Sequence, residues 1–336
     1  MQHTKIHGAA DWMGSQLFEQ STWPVTLTSA ENDELAAACT QSEHLPLERL
    51  NRHSFPLPTL YHKLANLQTE LEDGCGAVMI KGYDVDRFTA EQSLRIFFGL
   101  ASHIGTAVSQ SARGERIFHV RDEGFTIGDS KARGPNTSKR LSFHTDRCDV
   151  IGFLCLQQAS AGGENQLVSS VAVYNQILQQ RPDLLELLMQ PFYYKRHNVD
   201  TANASAYCQQ PIFSFCEGKF ASAFLRVLLD RAYADPQTPE MTPQQCEALD
   251  FVEETCERPE MHVEFRQERG DILLINNWIT YHRRQAFQDH PDPSKRRHLL
   301  RVWLATPNSR PLDPAFKANY GAVEAGALRG GMNPAQ

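Results

Sequence analysis

In three places the chain sets a histidine two residues before a carboxylate: His144-Thr145-Asp146, His262-Val263-Glu264 and His290-Pro291-Asp292. Residues i and i+2 of an extended segment point the same way, so each pair could offer one metal an imidazole and a carboxylate together. Two imidazoles and one carboxylate on one face, with the other positions open, suit a redox-active Fe(II) ion. Context separates the three. His290 and Asp292 fall in a proline-rich turn, with no further histidine at a useful distance. His262 and Glu264 alternate with Met261, Val263 and Phe265, which reads as the polar outer face of a strand. His144 and Asp146 follow a polar stretch, 109–140, and directly precede the apolar run 150–156. That is how a ligand pair at a strand end, in the mouth of a barrel, would look.

A third ligand should come from a distant strand. His282 fits, because it closes the run 270–282. Taken alone it reads equally as a core or surface histidine. The segment that follows, Arg296-Arg297-His298-Leu299-Leu300-Arg301-Val302-Trp303-Leu304, changes the balance. On a strand, Arg297, Leu299 and Arg301 share a face. Arginine inside a barrel is costly unless it meets a carboxylate. A carboxylate co-substrate would supply that partner through two parallel N–H···O bonds. A solvated strand face is the other reading.

Elements to carry these residues are legible along the chain. Helices are expected at 32–39, 60–71, 89–100, 171–178, 183–189 and 242–256. The second follows from Leu60, Leu64, Leu67 and Leu71 at helical spacing, the third from a Thr89–Gln92 capping box. Strands are expected at 77–82, near 116–120, and at 150–156, 193–194, 212–215, 220–223, 261–265, 271–275, 278–281 and 298–305. Many short strands interrupted by helices predict a mainly β (α+β) jelly roll decorated by helices. The division expected is a peripheral segment 1–55, a main domain 56–320 with a helical insert at about 170–257, and an irregular tail 321–336.

Composition removes other classes. With 336 residues and net charge −7, the chain lacks the basic balance of a general nucleic-acid binder. No apolar run approaches the roughly 20 residues that cross a bilayer. The first 30 residues do not read as a secretory signal. The eight cysteines include no C-x-x-C pair, so they read as reduced thiols in a cytoplasmic protein, not as a zinc site. There is no G-x-G-x-x-G after a strand, no Walker loop and no G-x-S-x-G elbow.

Taken in order, His144-Thr145-Asp146, Gly162-Gly163-Glu164-Asn165, Gly270-Asp271, Asn277…His282-x-Arg284-x-Ala286-Phe287 and Arg296-Arg297-His298-Leu299-Leu300-Arg301 resemble the TauD/TfdA type of Fe(II)- and 2-oxoglutarate-dependent dioxygenases. The Asn277-Trp278 and Arg-His-Leu-Leu-Arg runs are also similar to the γ-butyrobetaine hydroxylase and clavaminate synthase-like branch. The resemblance covers about residues 55–320. It implies a double-stranded β-helix with helices outside. It implies that His144, Asp146 and His282 bind Fe(II), and that Arg297 binds the far carboxylate of 2-oxoglutarate. Asn165 stands where relatives usually carry Thr or Ser against that carboxylate, and its amide can still donate. Arg301 matches a position that meets the anionic group of the substrate in sulfonate-using members. Arg283 replaces a small residue, and would face solvent or an acidic substrate. Gln110, His119 and Asp122 lie where relatives place substrate contacts.

The activity implied is oxidation of a C–H bond of a small organic substrate by O2, most simply hydroxylation, with release of succinate and CO2. Asp146 argues for oxygenation over halogenation, because related halogenases lack that carboxylate. Desaturation or ring closure at the same iron site, and a non-catalytic jelly-roll sensor, are the alternatives. The partner expected is a small molecule, not nucleic acid or a membrane, with a homo-oligomer left open.

Overall fold

The apolar runs of the sequence lie side by side. Ala77–Lys81, Ile272–Asn276, Val150–Gln157 and His298–Ala305 are successive antiparallel neighbours in one sheet. Val25–Thr26 extends one edge, and Thr106–Val108 and Ile117–Val120 pair with the two ends of His298–Ala305 on the other. A smaller antiparallel sheet orders His262–Phe265, Asn165–Ser169 and Thr280–Arg284. The computed structural model describes residues 3–124, 136–197, 200, 203 and 205–333. Part of the polar stretch 109–140, namely 125–135, lies outside them, as does the end of the tail.

Strict alternation is missing from the large sheet because both its faces are covered. One face presents Val78, Ile80, Ile272, Leu274, Leu154, Leu300 and Val302 to the helices Ser29–Gln41, Leu60–Asp73 and Ala90–Ala101. The other presents Ala77, Met79, Leu273, Ile275, Ile151 and Trp303 to Leu167 and Val263 of the small sheet. The small sheet is backed in turn by the helices Ser170–Gln180, Pro182–Leu188 and Pro243–Glu257. This layered pair of sheets with outer helices is the double-stranded β-helix that the motifs implied.

The region 170–257 carries strands as well as helices. Phe192–Lys195 pairs with Tyr207–Gln210, and Phe213–Cys216 with Lys219–Ser222. It also holds the helix Arg226–Tyr233, which periodicity did not reveal. Residues 3–55 reach deep into the molecule: Leu27, Leu35 and Phe55 join the helical core, while Trp12 and Leu17 lie between the sheets. Among the described residues the C-terminal segment has no regular element after Tyr320, yet Arg329 is buried against Asp149 at 2.7 Å. Asp149 also accepts from Trp278 Nε1 at 2.8 Å and from the Thr306 amide at 3.0 Å. This hub ties the tail to the strands that carry the site.

The helix Ala90–Ala101 has the capping box read from its sequence. Thr89 Oγ1 accepts from the Gln92 amide at 3.2 Å, and Gln92 Oε1 accepts from the Thr89 amide at 3.0 Å. The cap anchors a helix that buries Ile96, Phe97 and Leu100. Thr89→Ala is expected to destabilise the protein by about 1 kcal/mol. In urea this reads as a lower midpoint with an unchanged slope.

Candidate active site

His144 and His282 are direct cross-strand neighbours. Each backbone N–H donates to the other's carbonyl, at 3.1 and 3.0 Å, and the rings lie 4.5 Å apart. The pairing sets both imidazoles on one side. Thr145 points the other way and accepts from the Phe224 amide at 3.0 Å. Asp146, two residues after His144, returns to the same side, and its amide donates to Asn277 Oδ1 at 3.0 Å. The result is a His144–Asp146–His282 cluster whose ligand atoms all lie within 4.8 Å of one another. Among the described residues no other His, Cys, Asp and Glu group has such spacing. His262 and Glu264 are instead bonded into the small sheet through Gln166.

His144 and Asp146 are each oriented by a neighbour. His144 Nδ1 faces the Ser142 carbonyl at 2.8 Å, so that nitrogen donates and Nε2 keeps its lone pair for a metal. The Asp146 carboxylate accepts from Trp303 Nε1 at 3.2 Å and Arg301 Nη1 at 3.4 Å. His282 is buried, and burial, helped by the facing His144, pushes its pKa down to about 3. A neutral ring is the form that binds a metal. Two imidazoles and a carboxylate on one face, with a cavity beside them, fit Fe(II) with open coordination positions.

That cavity, about 600 Å³, runs from the cluster between the sheets to the helix Arg226–Tyr233. At the cluster end it is lined by Asn165, Arg297 and Arg301 together with Phe153, Leu167, Leu273 and Leu299. Its far end has Leu225, Val227, Leu228, Asp230 and Glu253. Arg297 is only 2 % exposed, and its Nε and Nη1 are buried with no partner. Burial pushes its pKa down to about 10, still a cation at neutral pH. An unpaired guanidinium taken out of water calls for an anion. The turn at Gly162-Gly163 leaves room for one: both have positive φ, and a Cβ on Gly163 would come within 3.4 Å of Arg297 Nε. These features fit the 2-oxoglutarate carboxylate. Asn165 lines the same end, with Nδ2 3.5 Å from Gln267 Oε1.

The other candidates separate. Gln110 is fully buried beneath Arg301 and does not line the cavity. It accepts from Arg301 Nε at 2.7 Å and donates to the Arg301 carbonyl at 2.9 Å. Arg283 is buried and lines the cavity, with its charge already met by a carboxylate. Its guanidinium binds both Glu257 oxygens and Gln166, 3.9 Å over the Phe143 ring. Asp122 lines an adjoining cavity of about 690 Å³ with Arg121, Arg296 and His298, and Arg297 is shared between the two. His119 lies outside both cavities, its Nδ1 2.8 Å from His298 Nε2 and the rings stacked. Sequence reasoning did not single out Trp303 as a partner of Asp146. It also gave no role to Arg284, a buried cation on the cavity wall.

The histidine pair has a consequence for stability. Burial, then the facing His119, pushes the His298 pKa down to about 4. The unfolded value is about 6.5, so the neutral ring favours the folded state. That stabilisation is complete above about pH 6.5 and is lost as pH falls through 4. The melting temperature should therefore fall more steeply between pH 7 and 4.5 than in the His298→Gln variant.

Comparison with known proteins agrees with this geometry. The family model for the taurine catabolism dioxygenase TauD, TfdA family matches residues 42–303. FR-33289 synthase of Streptomyces rubellomurinus is 31 % identical over 331 residues, covering 96 % of each chain. The taurine hydroxylase-like protein SAT17 of Stachybotrys chartarum is 29 % identical, covering 93 % of this chain and 85 % of that one. Among solved structures, asparagine oxygenase superposes with TM-score 0.66 at 16 % identity, covering 94 % of this chain and 100 % of that one. The non-haem iron oxygenase OrfP, solved with Fe and alpha-ketoglutaric acid, gives 0.62 at 16 % identity, covering 83 % and 93 %. No helix among the described residues is long and apolar enough to cross a membrane. The chain belongs to the taurine catabolism dioxygenase TauD, TfdA family and is an Fe(II)- and 2-oxoglutarate-dependent oxygenase.

Proposed function

We propose that His144 Nε2, Asp146 and His282 hold the iron of this oxygenase. In this reading Arg297 takes the far carboxylate of 2-oxoglutarate, and a small anionic substrate meets Arg301. The observation that carries it is one cavity containing both a three-ligand cluster and, across from it, a buried guanidinium with two unpartnered N–H groups. When bound, Fe(II) would activate O2, the oxidant, with 2-oxoglutarate as the co-reductant: one oxygen atom goes into succinate as CO2 is released, and the other turns a substrate C–H into C–OH.

The chain's own residues supply orientation and dryness. The Ser142 carbonyl fixes the His144 ring, and Trp303 and Arg301 fix the Asp146 carboxylate. Arg297 sets the direction from which the ketoacid enters, with Asn165 beside it as a further donor. Phe153, Leu167, Leu273 and Ile275 exclude water between the sheets, which strengthens every charge contact at the site. Arg301 keeps Nη2 buried and unpartnered after its bonds to Gln110 and Asp146. That atom is the donor offered to the anionic group of the substrate, holding one C–H bond over the cluster. Gln110 acts here by positioning Arg301.

The remaining assignments follow the same chemistry. The partner is a small molecule, not nucleic acid or a lipid surface, and the site of action is the cytoplasm. Residues 56–320 form the catalytic unit, with the region around 170–257 walling the substrate end. The test is succinate release with Fe(II), 2-oxoglutarate and ascorbate across a panel of carboxylates, sulfonates, phosphate esters and neutral amines. Stimulation by one anionic class and not by the amines is expected. Stimulation by neutral amines alone would contradict the anionic substrate.

A further inference from the structure

Arg284 has no role in the assignments above. It follows His282 by two residues on the strand Thr280–Arg284, so its side chain leaves on the same face and lines the same cavity. Its Nε donates to the Gln285 carbonyl at 3.2 Å, and its Nη2 to the Lys139 carbonyl. Its Nη1 is buried with no partner. Arg297, the residue just before the strand His298–Ala305, has its own unpartnered Nε and Nη1 at the same end of the cavity. The two guanidinium carbons stand 4.7 and 5.1 Å from the centre of one ring, Phe287. Among the described residues neither arginine forms an ion pair. Asp289, which both sense, gives its Oδ1 to the Arg297 backbone amide instead, at 2.7 Å.

Two desolvated cations around one aromatic ring repel each other, and Asp122 and Asp289, whose charges reach Arg284, form no direct ion pair with either arginine among the described residues. An anion with more than one acceptor, entering between them, would satisfy the unpartnered N–H groups of both. A carboxylate has two oxygens and can accept from two guanidinium groups. We infer that Arg284 is a second binding residue for the far carboxylate of 2-oxoglutarate, closing on it together with Arg297 across Phe287. This rests on the assignment of Arg297 above. Asn165 then serves as an auxiliary donor, since the charge is carried by two arginines.

The test is calorimetric titration of the Fe(II)-loaded protein without oxygen, using two ketoacids. 2-Oxoglutarate carries the far carboxylate, and 2-oxopentanoate has the same chain length without it. The native protein is expected to prefer 2-oxoglutarate. Arg284→Gln is expected to weaken 2-oxoglutarate by about tenfold or more and to leave 2-oxopentanoate within about twofold. Arg284→Lys, which keeps the charge, should recover part of the loss. An Arg284→Gln protein that loses affinity for both ketoacids by the same factor, keeping the native preference, would show a structural role and overturn the inference. So would one that keeps the full preference while Arg297→Gln loses it. If the native protein shows no preference, the assignment of Arg297 itself fails, and this inference with it.

Discussion

His282→Ala is expected to reduce succinate release to background and to strip the protein of tightly held Fe(II). The ring sits on a strand paired directly with His144, so no other imidazole can take its place. Two ligands remain, and neither is free to move: His144 is bonded to Ser142, and Asp146 to Trp303 and Arg301. The loss in iron affinity should exceed the roughly 10–100-fold that changes outside the ligand shell cause. Asp146→Ala should have the same outcome, with an added effect. It leaves the Arg301 guanidinium without its acid in a buried position, so a drop in melting temperature should accompany the loss of iron. Equilibrium dialysis against Fe(II) and circular dichroism separate the two effects. Full Fe(II)-dependent turnover in either variant would contradict the ligand set.

Arg297→Ala is expected to raise the half-saturating concentration of 2-oxoglutarate by roughly 30- to 900-fold. That range corresponds to loss of a paired, charge-assisted contact of about 2–4 kcal/mol. The arginine is held by its packing on Phe287, so it is presented in a fixed position and little rotamer freedom is lost on binding. Because it orients the ketoacid and does not touch the substrate, a large part of the maximal rate should return at high ketoacid concentration. An unchanged requirement would move the anchor to Arg284 alone. Fe(II) affinity in the absence of the ketoacid should not change, which separates this variant from the ligand variants.

Local signals carried much of the fold. Leu60, Leu64, Leu67 and Leu71 are all buried on the inner face of Leu60–Asp73, as their spacing requires. The apolar runs at 150–156 and 298–305 became central strands because both of their faces are covered. The strand expected at 278–281 lies instead at Thr280–Arg284. The reason is an Asn276 side chain that accepts from the Trp278 amide at 2.8 Å and prolongs the turn. That shift places His282 within the strand, opposite His144, and brings Arg284 onto the cavity face. The helix Arg226–Tyr233 was hidden because Leu225 gives it no side-chain cap and Arg226 is spent on Asp230, Asp250 and Glu253.

The ligand residues were legible because local spacing forces them onto one face. Their side-chain supports were not, because those partners, unlike the Ser142 carbonyl, are distant in sequence. Arg283 could be read only as a cation beside the site until Glu257, on a helix behind the small sheet, was seen to neutralise it. Gln110 looked like a loop residue near the substrate, but its place under Arg301 depends on a pairing 191 residues long. The N-terminal 55 residues looked peripheral because their helices are short and broken by prolines. Trp12, whose Nε1 donates to the Cys75 carbonyl at 2.9 Å, shows how deeply that segment is inserted.

The most direct test is a crystal grown without oxygen, with Fe(II) and 2-oxoglutarate added, and diffraction recorded across the iron absorption edge. One anomalous peak is expected at the point shared by His144, Asp146 and His282, with the far carboxylate of the ketoacid on Arg297. A peak at any other histidine, or a ketoacid bound away from Arg297, would contradict the proposed site.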